Sequence, residues 1–118
     1  MSRIATVAAA QMGPIEKDEP RQSTVARMIS MMRQAKERGA DLIVYPELAL
    51  TTFFPRYWME NAAEIDAFFE KEMPSPATQP LFEEAAKLGV GFYLGYAELT
   101  SEKRRNRHFN TSIIVDRE

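Results

Sequence analysis

One carboxylate in this sequence stands where chemistry is easy to place. Glu47 comes directly after Pro46, at the end of the apolar run Leu42–Tyr45 in "DLIVYPELALTTFFPRYW". In open α/β sheets, ligands gather outside the carboxyl ends of the parallel strands. A glutamate at such an end, beside Pro46, Leu48 and Ala49, has poorly solvating neighbours. Burial disfavours the charged form of a carboxyl group and suits it to proton transfer near neutral pH. The competing role is structural, with Glu47 accepting backbone N–H groups at the start of the next turn. Phe53, Phe54, Tyr57 and Trp58 follow closely. They either line a pocket, with Phe53 and Phe54 as the substrate-pocket candidates, or form a small satellite core under a long loop.

The remaining polar residues offer less. Lys103, Arg104, Arg105 and Arg107 form a basic cluster in "EKRRNRH". Such a cluster binds phosphate or is a solvated hairpin tip. The net charge of −2 leaves no wider basic face, which favours the tip and speaks against nucleic acid. His108 is the single histidine and has no serine or cysteine partner in the pattern, so it reads as structural or exposed. Asn110 reads as a hydrogen-bonding partner for a neighbouring loop backbone, with no chemistry assigned. Met28, Met31 and Met32 share helical spacing and read as core fillers. There is no Gly-rich phosphate loop and no convincing Ser-His-Asp set. With no cysteine and one histidine, no thiolate or structural zinc site is expected. One carboxylate alone hydrolyses nothing, so Glu47 needs partners.

The elements that must position it read as alternating strands and helices. Ile4–Ala10 suits a strand covered on both faces. Gly13, Pro14 and Pro20 break the chain, and Pro20 fits the first position of a helix running to Arg38. Val25, Met28, Ile29, Met32 and Ala35 recur on one face of that helix, and Gly39 ends it. Leu42–Tyr45 completes a βαβ unit with parallel strands. Ala62–Glu72 fits a short helix with Ile65, Phe68 and Phe69 on one side. Thr78–Leu88 fits a second amphipathic helix, stopped by Gly89. Val90–Ala97 is a third strand in which Gly91 and Gly95 imply close backbone approach. Residues 100–107 read as a polar turn, and Phe109–Val115 as a fourth strand antiparallel to the third.

The bulk numbers fit this α/β reading. At 118 residues the chain suits a single domain. No apolar run nears the roughly 20 residues that span a bilayer, and the mildly apolar start reads as a strand, not a leader. No membrane role and a cytoplasmic location are therefore expected. The pattern halts after a strand with its sheet still open, so the expectation is that residues 1–118 are the N-terminal portion of one larger domain.

Four ordered segments carry a resemblance. "VYPELALTTFFPR", "EMPSP", "GVGFYLGYAEL" and "FNTSIIVD", preceded by "AAAQMGPI", are similar to the nitrilase or carbon–nitrogen hydrolase superfamily. Within it they look most like the N-carbamoyl-D-amino acid amidohydrolase (D-carbamoylase) branch. The resemblance covers essentially the whole chain. It implies an α-β-β-α sandwich and a Glu-Lys-Cys triad in which Glu47 is the general base. The triad's lysine and cysteine have no counterpart here, and Lys103 lies in the hairpin turn and does not replace the lysine. Also implied are a small-molecule N-carbamoyl amino acid substrate, homo-oligomers and no metal or organic cofactor. The alternatives are a β-ureidopropionase, aliphatic amidase or nitrilase branch, or a non-catalytic interaction module.

Overall fold

The computed structural model describes residues 2–117. Its elements run β1 (Val7–Ala9), α1 (Arg21–Glu37), β2 (Leu42–Val44), a 3₁₀ turn (Phe54–Arg56), α2 (Ala62–Asp66), α3 (Gln79–Leu88), β3 (Gly91–Glu102) and β4 (Arg105–Val115). They build a mixed α/β fold around one four-stranded sheet of order β1-β2-β3-β4. β1, β2 and β3 are parallel and β4 runs antiparallel to β3.

Helices α1 and α3 form where the apolar spacing places them. Both stop at glycines of positive φ, +85° at Gly39 and +66° at Gly89, where a side chain would be strained. Pro20 sits one position earlier than expected, capping α1 instead of opening it. Val25, Met28, Met32 and Ala35 of α1 and Leu81 and Ala85 of α3 bury against Ile43, Phe92, Leu94 and Tyr96 of the sheet. Ile29, expected on the same face, is only partly buried. Tyr45 is 1% exposed, and its hydroxyl donates to the Met28 carbonyl at 2.7 Å. Burial pushes this phenol well above its ordinary pKa, so it holds its proton and stays a donor.

Three expectations need correction. The first strand is shorter than Ile4–Ala10 and is not covered on both faces. Val7 is 56% exposed because β1 lies at the sheet edge and alternate residues of a strand face opposite sides. The helix at Ala62 lasts five residues, capped by Asn61, whose Oδ1 accepts from Ala63 N at 2.8 Å. Phe68 and Phe69 lie beyond it. The chain then adds Glu70 beside β3, through Glu70 N to the Ala97 carbonyl and Leu99 N to the Glu70 carbonyl. Lastly, the long polar turn is a two-residue one. Lys103 (φ 46°) and Arg104 (φ 68°) both take left-handed backbone, the geometry that matches the twist of a tight hairpin. The basic cluster is its exposed tip.

The helical layer rests on the methionines of α1. Met32 is wholly buried. Met32→Ala is expected to lower folding stability by about 2–5 kcal/mol, read from the denaturation midpoint of the chain in urea. A change below about 1 kcal/mol would show that α1 is not packed as described.

Candidate active site around Glu47

Glu47 stands on a short excursion of the chain away from the sheet. Tyr45 N donates to the Tyr93 carbonyl at 3.0 Å, and Ala49 N donates to the Gly95 carbonyl at 3.1 Å. Residues 46–48 arch out between these bonds, and Leu48 takes φ 50° to close the arch. The arch presses on β3 at one point. A Cβ on Gly95 would lie 3.2 Å from Glu47 Cα. The glycine expected to permit close approach therefore does so directly beneath the candidate base.

The side chain of Glu47 is exposed, which corrects the expectation of a buried carboxylate. Pro46 and Glu47 sit on the outer side of the arch, while Leu48, Ala49 and Leu50 turn inward and bury. One oxygen, Oε1, accepts a 2.6 Å hydrogen bond from Asn110 Nδ2 on β4. Asn110 was expected to bond a loop backbone; it bonds the loop's acidic side chain instead.

Glu47 borders three clefts. The largest, about 460 Å³, is walled by Gln11, Thr51, Thr52, Phe53 and Arg56 among others. A second, about 370 Å³, runs over Tyr93, Gly95 and Asn110–Ser112. A third, about 270 Å³, is lined by Phe53, Phe54, Phe69, His108, Phe109 and Asn110. Glu47 and Phe53 therefore share the first and third clefts, and Phe53 is 50% exposed.

Phe54 has a different setting. It is 7% exposed and stacks on Phe68 at 5.1 Å, with Phe69 tilted at 5.2 Å and Leu48 and Ala97 packed beside it. This is the satellite core, and Phe54 reaches the third cleft from within it. Trp58 is 87% exposed, so the four aromatics do not make one continuous wall. His108 sits edge-on to Phe69 at 4.6 Å, with Nε2 2.7 Å from Asp66 Oδ1. It fastens the hairpin to α2, as its structural reading anticipated. Asp41, at the other end of β2, accepts from Thr6 N at 2.9 Å and pairs with Arg117.

The family model for carbon-nitrogen hydrolases matches residues 6–118. This chain belongs to the carbon–nitrogen hydrolase family. Among solved structures it is similar to Nit3 of Saccharomyces cerevisiae, a member of branch 10 of the nitrilase superfamily. The identity is 19% and the TM-score 0.71, over 96% of this chain and 40% of that one. It is also similar to an amidase from Nesterenkonia sp., at 18% identity and TM-score 0.68, over 96% of this chain and 38% of that one. An N-terminal amidase solved with a Gln-Gly peptide matches at 19% identity and TM-score 0.65, over 94% of this chain and 25% of that one. The carbon–nitrogen hydrolase chain thus spans two fifths or less of these structures, and they support the nitrilase-like α/β fold.

Among the described residues, no helix is long and apolar enough to cross a membrane. The contact beneath Glu47 leaves no room for a methyl group without movement. Gly95→Ala is expected to displace the arch by a few tenths of an ångström and lower turnover of the complete enzyme by about tenfold or more. Stability should change little by comparison. Unchanged kcat and KM would show that the approach of Gly95 does not set the position of Glu47.

Proposed function

We propose that this protein supplies the general-base portion of an amidohydrolase that cleaves the carbamoyl C–N bond of N-carbamoyl-D-amino acids. The observation that carries the reading is Glu47 itself. Its family-matching Pro-Glu motif is fixed at the carboxyl end of a parallel strand, clamped to β3 on both sides and bordering three clefts. The D-carbamoylase assignment rests on the segments "PELALTTFFPR", "EMPSP" and "FNTSIIVD", and the family match is its support at the coarser level.

In this reading a cysteine thiol loses its proton to Glu47, and the thiolate adds to the carbamoyl carbon. A lysine ammonium stabilises the developing oxyanion. Glu47 gives that proton to the departing ammonia and then takes one from the water that cleaves the remaining S-carbamoyl bond; this frees the cysteine, reprotonated by Glu47, and an N-carboxy amino acid that loses carbon dioxide. The products are a D-amino acid, ammonia and carbon dioxide. The 118 residues contain no cysteine, so in this reading the nucleophile comes from outside them, and the resemblance places the triad lysine outside them as well. Phe53, half exposed beside Glu47, is the better placed of the two pocket candidates for a substrate side chain, while Phe54 is buried in the satellite core.

The test is ammonia release from N-carbamoyl-D- and N-carbamoyl-L-amino acids. The complete enzyme is expected to turn over the D series preferentially. Glu47→Gln, which keeps the shape and removes the base, is expected to lower kcat by at least about 10³-fold while the protein stays folded. Near-normal kcat in that variant would refute the base assignment, and preference for L-carbamoyl or simple amide substrates would refute the branch. The 118-residue chain on its own is expected to release no ammonia; clear turnover would contradict the need for an external nucleophile.

A further inference from the structure

Two kinds of restraint act on Glu47, and they do different things. The backbone bonds of Tyr45 and Ala49 to β3 fix where its Cα lies. They leave free the rotations of an exposed glutamate side chain, which lose entropy when they are ordered. Only a side-chain partner decides where the carboxylate points. Asn110 is that partner, with Nδ2 2.6 Å from Oε1.

We infer that Asn110 is a positioning residue for the proton transfer, holding Oε1 so that Oε2 is the oxygen that acts on the nucleophile and on water. The inference rests on the reading of Glu47 as general base. An ionised carboxylate only accepts hydrogen bonds, so the amide must offer its NH₂ to it. Asn110 is well mounted for this task. It lies mid-strand in β4, directly opposite Ala97, in a ladder of eleven paired residues. Its neighbour Thr111 faces the other side of the sheet and bonds Glu98 at 3.0 Å. A neutral donor also suits a base: a cation in the same place would favour the charged form and oppose proton uptake. Glu47 and Asn110 together border two of the clefts, so a rival role for Asn110 is direct substrate contact. The two roles separate kinetically. A group that touches only Glu47 affects kcat, whereas a group that binds substrate uniformly affects KM.

The experiment uses the complete enzyme, with whichever of N-carbamoyl-D-alanine and propionamide the unmodified enzyme turns over. Asn110→Leu removes the donor at similar size and is expected to lower kcat about 10–100-fold, with KM within about twofold and an unchanged melting temperature. Asn110→Gln restores an N–H donor on an exposed strand position with room for the longer side chain, and is expected to recover kcat to within about fivefold of the unmodified enzyme. The inference is overturned if Asn110→Leu leaves kcat unchanged, or raises KM alone. It is also overturned if the loss follows a loss of folded protein and Asn110→Gln does not reverse it. Glu47→Gln separates this from the parent reading. If that variant is inactive while Asn110→Leu is silent, the base stands and the positioning role falls. If Glu47→Gln is active, the base assignment falls, and with it this inference.

Discussion

The site depends on the close contact between the arch at residues 46–48 and strand β3. Two backbone hydrogen bonds, at Tyr45 and Ala49, stitch the chain to β3 on either side of Glu47. Between them the chain must bend outward and return within three residues, which forces Leu48 into left-handed backbone. That conformation is costly for a branched-chain residue and persists only where its surroundings over-determine it. Here they do: Leu48, Ala49 and Leu50 are buried just after the bend, and Gly95 removes the Cβ that would obstruct it. The result is a carboxylate whose Cα is fixed by main chain and whose side chain is aimed by Asn110.

Much of this was legible in sequence because it follows from period and punctuation. The apolar face of α1, the stops at Gly39 and Gly89, the parallel βαβ unit and the antiparallel last strand all came from spacing. Glu47 came from its place after a strand, and Gly95 from being a glycine inside one. The Glu47–Asn110 contact was hidden by a turn. A two-residue hairpin is normally signalled by Asn-Gly or Asp-Gly, and Lys103-Arg104 carries neither signal. Fixing the turn there sets Ala97 opposite Asn110 and brings the asparagine to the level of the arch. Without that register, Asn110 was one polar residue among several. The exposure of Glu47 was misjudged because its apolar neighbours in sequence turn into the core and leave it outside.

The two faces of the sheet differ in what covers them. α1 and α3 bury the face carrying Ile43, Phe92, Leu94 and Tyr96. On the other face lies the smaller satellite group of Leu48, Phe54 and Ala97 with Met59, Phe68 and Phe69. Ile114, paired with Tyr93 on that side, is 71% exposed. The same satellite core supports the stretch that holds Phe53 at the cleft edge, and His108 ties it to the hairpin through Phe69 and Asp66. Packing and chemistry are thus joined. The residues that fix the aromatic loop also fix the strand that presents Asn110.

The base role proposed for Glu47 requires the position of its carboxylate, and not merely its charge. Glu47→Asp tests that claim most directly, since it keeps the acid but withdraws it by about 1.5 Å, away from Asn110. Measured in the complete enzyme, kcat is expected to fall by about 100-fold or more with the fold intact. A variant that kept near-normal kcat would contradict the claim.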